Sequence, residues 1–314
     1  MTAYFVTTNL DKSDPNPFSV DPNPFSSESS GLSFEELFLL EKEEQARLKA
    51  EERANDPRQI FDVKLGSEYE TVGEINTGCT VTDLGDGYAI SAAHCFLGGI
   101  STPITRATKH YLVLGCEAEN YEDTSCEDSI RAKVEEIAVP TEYSTSPIMT
   151  SGEDDYGYDI AFIRYQKPSD EGWPSQNFSL QTQIHSSSVL QIGKSYDRGG
   201  VTGGECEIFD SSHEEYKSEF IITTNCFVKP GDSGSPLFDT DNQLVAVMES
   251  IPPNNSWDSS ISYATPITEG LLDVFDKFKK GELQGEIETS PNNTKVVRFE
   301  YEREPVNYQF TPES

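Results

Sequence analysis

Basic residues are scarce in this chain: 23 Lys and Arg stand against 55 Asp and Glu, a formal net charge of −32 over 314 residues. That balance opposes binding to the nucleic-acid backbone and to anionic membrane surfaces, both of which select clustered Lys and Arg. Long apolar runs are missing as well, and none approaches the ~20 residues that a membrane-crossing helix needs. No nucleic-acid partner and no membrane insertion are expected, and the chain reads as soluble. Histidine is sparse, four in all. His110, His185 and His213 show no metal-ligand spacing, and the acidic loop of Asp239, Thr240, Asp241 and Asn242 reads as a turn, so neither metal nor cofactor is expected. Residues 1–10 lack a basic stretch followed by an apolar one, which leaves no secretory leader in view. Apolar content is only 35%, as expected if polar extensions flank an ordinary globular middle.

Three short motifs, in a fixed order, carry most of what is present: SAAHC (residues 91–95), DIAFI (159–163) and GDSGSP (231–236). They supply His94, Asp159 and Ser233. Acyl transfer needs each type: a hydroxyl nucleophile, an imidazole to take its proton, and a carboxylate to fix the imidazole tautomer and stabilise its cation. Asp159 is preferred over Asp154 and Asp155 because it opens an apolar run that would bury it beside the ring. The order His, Asp, Ser differs from that of subtilisins and of α/β-hydrolases. Gly231 and Gly234 free the backbone to turn sharply, and the amides of Gly231 and Ser233 are expected to form an oxyanion hole. A lone Gly-Asp-Ser loop is more often a turn, and a lone His beside Cys more often a core residue; three motifs in register outweigh both readings.

The combination resembles the chymotrypsin-like (trypsin-like) serine peptidase superfamily, over residues from about 59 to 280. NDPRQIFDV (55–63) is similar to the start of the bacterial glutamyl-endopeptidase-like branch. Short β-type runs bounded by turns, such as YAISAA, HYLVLG, KVEEIAVP, DIAFIRY, SVLQIG, EFIITTNCFV, SPLF and QLVAVME, indicate an all-β fold. The resemblance implies two antiparallel six-stranded β-barrels followed by a C-terminal helix, predicted over residues 268–280. The pairs at Gly98, Gly199 and Gly203 read as turns. By position in the family pattern, Phe227, Val228, Met248, Glu249 and Tyr263 should surround the primary substrate pocket. Neither an acid at its base nor the histidine of glutamyl endopeptidases is present, so a small or medium apolar residue before the scissile bond of a polypeptide substrate is expected.

The resemblance also implies a Cys79–Cys95 disulfide bracketing His94. Cys116–Cys126 and Cys206–Cys226 are proximity guesses among the many connectivities that six cysteines allow. Three bridges would suit a secreted or periplasmic protein, as would the sequons at Asn177, Asn254 and Asn292; reduced core thiols in a cytosolic protein are the alternative. Asp232 stands where the glutamyl-endopeptidase branch usually has Asn and trypsin-like enzymes have Asp. A buried carboxylate there needs a cation or several donors. Either cleavage between about residues 53 and 60 frees an α-amine that pairs with it, making the chain a zymogen, or internal donors hold it and no activation is needed.

Residues 1–32 are expected to be disordered and carry DPNPFS twice (14–19 and 21–26). The Asn-Pro-Phe triplets are similar to ligands of EH-domain adaptors, although turn-forming linkers are the preferred reading. Residues 33–54 suggest an amphipathic helix opened by a Ser33/Glu36 capping box, with Phe34, Leu37, Phe38, Leu40 and Leu48 as its apolar positions, acting as propeptide, clamp or self-association surface. The peptidase-like domain is placed at 55–280 and an acidic extension with one strand (295–302) at 281–314. The competing expectation is a catalytically weak or inactive peptidase-like interaction protein working through the N-terminal repeats and helix.

Overall fold

The computed structural model describes residues 38–40, 42–44, 47, 56–64, 66–97, 110–115, 129–144, 157–167, 174, 178–195, 200–209, 219–250, 261–289 and 293–310. The chain divides into two units, residues 1–56 and 57–314. In the first unit residues 38–40, 42–44 and 47 are helical; Lys42 lies over the Phe38 ring at 4.7 Å, and Phe38, Leu39 and Leu40 are exposed. The Asn-Pro-Phe repeats lie outside the described residues.

In the second unit the chain opens with β1 (Gln59–Phe61) and then builds two closed barrels. The first contains β2 (Val72–Ile75), β3 (Thr80–Gly85), β4 (Tyr88–Ser91), β5 (Tyr111–Leu114), β6 (Ile130–Pro140) and β7 (Ala161–Gln166). They pair antiparallel in the order β6-β5-β2-β3-β4-β7, and β6 with β7 closes the ring. After the short β8 (Gln183–Ile184), the second contains β9 (Ser188–Gly193), β10 (Val201–Phe209), β11 (Ile222–Thr224), β12 (Pro236–Phe238), β13 (Leu244–Ser250) and β14 (Ser262–Pro266). Their order is β10-β11-β14-β13-β12-β9, closed by β9 with β10. Two six-stranded antiparallel barrels are therefore present, and β1 extends the second by pairing with β10, Gln59 opposite Gly203.

The predicted turn at Gly203 is overturned, since it sits in the middle of β10. A side chain there would place Cβ 1.9 Å from the Gln191 carbonyl oxygen of β9. This glycine marks close passage of one strand over another and not a change of chain direction. The predicted run EFIITTNCFV also shortens: only Ile222–Thr224 is strand, and the chain from Asn225 onward leaves the sheet on its way to the Gly231–Ser233 loop.

Strand β6 shows why burial patterns differ along one strand. Its first half alternates, whereas residues 136–140 are continuously buried. Ile137 and Val139 point into the first barrel's core, and Ala138 faces a second cluster that joins both barrels. Burial on both faces produces an unbroken apolar run. The covering element on that second side comes from the far end of the chain.

The helix following β14 is α2 (Glu269–Lys280), counted after the one-turn α1 (His94–Leu97). Thr268 caps α2, its hydroxyl accepting from the Leu271 amide at 3.3 Å, and Gly281 ends it with φ 69°. Leu271, Val274, Phe275 and Phe278 bury one face against the joint cluster. Lys277, Lys279 and Lys280 complement the dipole at the other end.

The acidic segment after α2 belongs to the same folded unit. It forms β15 (Glu286–Thr289) and β16 (Lys295–Phe299), and β16 lies parallel to β6, with Lys295 opposite Glu136 and Phe299 opposite Pro140. Lys295 and Arg164 both pair with the buried Glu136 carboxylate. The chain then crosses to the second barrel, where β17 (Asn307–Tyr308) runs parallel to β8. Val297, Phe299 and Tyr301 enter the joint cluster, and Val306, Tyr308 and Phe310 pack on the second barrel's core.

Candidate active site

His94 begins α1 at the end of the β4 loop, and Asp159 lies two residues before β7. Because β4 and β7 are neighbours, with Ser91 opposite Ala161, the two loops leave the first barrel side by side. Asp159 is 1% exposed and grips His94 twice: one carboxylate oxygen accepts the His94 backbone N–H at 2.9 Å, the other meets Nδ1 at 2.6 Å. An acceptor at Nδ1 puts the ring proton there and leaves Nε2 as the basic nitrogen. Burial disfavours the imidazolium, but the Asp159 charge and hydrogen bond outweigh it and hold His94 above its ordinary value.

Ser233 comes from the second barrel, in the loop before β12. Its neighbour Gly234 (φ 84°) lies so close to the first barrel that a Cβ would sit 2.2 Å from the Thr80 carbonyl oxygen and 2.3 Å from Ser91 Oγ. Ser91 is three residues before His94, so the glycine brings the Ser233 loop onto the His94 loop. Thr80 pins the junction: its amide donates to the Ser233 carbonyl at 2.8 Å and its hydroxyl to the Gly231 carbonyl at 2.9 Å. Ser233 Oγ points to the Glu249 carbonyl at 3.5 Å, beyond the usual O–H···O range. That weak contact leaves the hydroxyl free to rotate.

Five consecutive amides define the loop. Those of Asp232, Gly234 and Ser235 donate to the carbonyls of Lys229, Met248 and Asp232. The amides of Gly231 and Ser233 have no acceptor among the described residues. Between them, Asp232 is fully buried; its Oδ2 accepts the Lys229 amide at 2.8 Å and lies 3.6 Å from an Arg58 guanidinium nitrogen. Thus the cation beside Asp232 is a side chain from residue 58. Sequence reasoning singled out the segment but not this residue, and nothing local to Arg58 marks it. Thr80 was likewise missed; its one signal is adjacency to Cys79.

Disulfides join Cys79 to Cys95 and Cys206 to Cys226, while Cys116 and Cys126 lie outside the described residues. The first bridge ties the residue just before β3 to α1, at the position directly after His94. Its sulfurs and a His94 ring nitrogen form the one close His/Cys/acid group among the described residues, and sulfurs bonded to each other offer no thiolate to a metal. Val228 and Met248 are buried in one cluster of the second barrel, and Phe227 is partly exposed beside them. Tyr263 falls in a separate cluster with Ile221, and the buried Glu249 carboxylate accepts from Thr265 Oγ1 at 3.4 Å.

Two closed six-stranded barrels with a histidine, a carboxylate and a serine loop converging between them define the chymotrypsin-like serine peptidase class. The chain belongs to the family with the trypsin-like peptidase domain, whose family model matches residues 76–247. No curated protein matches its sequence. Among solved structures it is similar to a Glu endopeptidase (17% identity, TM-score 0.54, 72% of this chain and 98% of that one). It is also similar to the protease Anisep from Arthrobacter nicotinovorans (14%, 0.52, 70% and 98%). A third is the scabies mite inactivated protease paralogue S-D1 (14%, 0.53, 73% and 98%). At such identities these likenesses concern the fold.

Proposed function

We propose that the protein is a serine endopeptidase in which Ser233 attacks the scissile carbonyl, His94 takes and returns the proton, and Asp159 holds His94 in the Nδ1–H tautomer. The observation carrying this reading is the double grip of the buried Asp159 on His94, which leaves Nε2 as a base. The unpaired Gly231 and Ser233 amides supply the two donors for the tetrahedral oxyanion. A polypeptide substrate with a small or medium apolar residue before the scissile bond is the proposed preference, since neither an acid nor a histidine stands at Phe227, Val228, Val247 or Met248. The two disulfides favour work in an oxidising compartment, outside the cytosol.

Fold alone does not decide activity, and a neighbour described as an inactivated protease paralogue shares it. The test is an active-site fluorophosphonate probe on the full chain, with Ser233→Ala beside it and intact mass read for both. Labelling of the wild type alone supports the peptidase. A wild type that stays unlabelled, even after trial proteolysis between residues 53 and 60, refutes it in favour of an interaction protein built on this fold.

A further inference from the structure

Arg58 and Asp232 are each 1% exposed at the side chain, so their pairing at 3.6 Å is shielded from water. Arg58 is held from three sides. Its backbone enters β1, where Gln59 pairs with Gly203; the same guanidinium nitrogen donates to Ser195 Oγ at 2.6 Å, and Ser195 in turn bonds Thr202 at 2.9 Å. The guanidinium carbon also sits 5.3 Å from the centre of the Phe227 ring, which Lys229 Nζ approaches at 5.0 Å.

On the other side of the pair, Asp232 and Lys229 close a small ring: the Asp232 amide donates to the Lys229 carbonyl at 3.0 Å, and the Lys229 amide donates to Asp232 Oδ2 at 2.8 Å. Gly231 lies inside that ring and Ser233 directly follows it. The direction of both acceptor-free amides therefore depends on the Asp232 carboxylate staying inside and charged. A Cβ on Gly193 of β9 would lie 2.6 Å from Asp232 Oδ1, so a glycine at that position leaves the carboxylate the space it occupies.

We propose that Arg58 is a positioning residue which, through Asp232, keeps the Gly231–Ser233 amides aimed at the oxyanion, so that the site is assembled in the uncleaved chain. This rests on the peptidase reading for its catalytic consequence. An arginine supplies within the chain the cation that a cleaved N-terminus would otherwise have to bring. A cut on the C-terminal side of Arg58 then disables the site.

The test compares full-length wild type, Arg58→Met and Arg58→Lys in two measurements: the rate constant for fluorophosphonate labelling per folded molecule, and amide hydrogen exchange of the segment 226–237. Among the described residues, the charged groups near Arg58 include Asp232 and Lys229 on the serine loop and Glu205 on β10, which lines the cavity beside it. Arg58→Met is expected to label about 100-fold more slowly and to exchange faster in that segment, the size of losing an oxyanion donor. Arg58→Lys restores much of the rate at neutral pH but loses it again towards about pH 10, where lysine deprotonates and arginine does not. Wild type whose mass shows an intact N-terminus is expected to label fully. A rise in wild-type labelling on cleavage between residues 53 and 60 would overturn the proposal, as would an Arg58→Met protein with unchanged exchange. If wild type never labels while Arg58→Met still releases the segment, the peptidase reading fails and the clasp stands.

Discussion

Replacing Gly234 with alanine tests how the two barrels deliver their halves of the site. The added Cβ would stand 2.2 Å from the Thr80 carbonyl oxygen, 2.3 Å from Ser91 Oγ and 3.2 Å from the Ala92 amide. Carbon approaches a carbonyl oxygen no closer than about 3.3 Å, so the serine loop must back away by about 1 Å. The Thr80 oxygen is backbone and is already engaged by Ser91 Oγ at 2.6 Å, leaving no flexible group to yield. Overpacking of this kind costs about 1–3 kcal/mol. The left-handed φ of 84° adds about 1–2 kcal/mol for a residue with a side chain. The sum, about 2–5 kcal/mol, predicts a fall in Tm of about 5–15 °C for a unit of this size. Because Ser233 and Gly231 move with the loop, a shift near 1 Å should also slow labelling by about 100-fold. Differential scanning calorimetry and the fluorophosphonate rate constant check the two halves separately. An alanine protein with wild-type Tm and wild-type labelling would refute the close approach from which both figures are derived.

Labelling should rise with pH through a midpoint above 6.5, because Asp159 holds the His94 pKa up and Nε2 must be neutral to act as base. Asp159→Asn removes both raising influences and leaves burial, so the midpoint should drop below 6.5 and the rate fall by about 10⁴-fold; a pH–rate series on both proteins measures this. The same raised pKa predicts that the pair's contribution to folding is complete below 6.5 and disappears as pH rises through the folded value, seen as a larger Asp159→Asn destabilisation at acid than at alkaline pH. Phe299→Ala, in the strand that covers β6, should cost about 3–5 kcal/mol in urea unfolding although it lies outside both barrels.

Much of the barrel architecture was legible because its strands alternate or run apolar over a length that matches one pass across a barrel. The candidates Asp159 and Ser233 could be singled out for a chemical reason: they sit in sequence contexts, an apolar run and a glycine-flanked turn, that state their surroundings. Gly203 was misread because a glycine pair looks the same whether the chain turns or one strand passes close over another; only the partner, Gln191, distinguishes them. The β16 strand was visible, but its parallel pairing with β6 was not, since such pairing is written in neither partner's local pattern. Arg58 illustrates a similar limit. The need of Asp232 for a cation could be derived from burial, but which of the 23 basic residues answers it depends on how β1 meets β10.

The strap formed by residues 295–310 has a consequence for biosynthesis. Every surface it covers, from β6 to α2 to the core of the second barrel, precedes it in the chain. During translation the barrels emerge with those apolar surfaces bare, and closure of the joint core waits for Val297, Phe299 and Tyr301 to leave the ribosome. Completion of the joint core therefore comes only after both barrels and α2 have been synthesised.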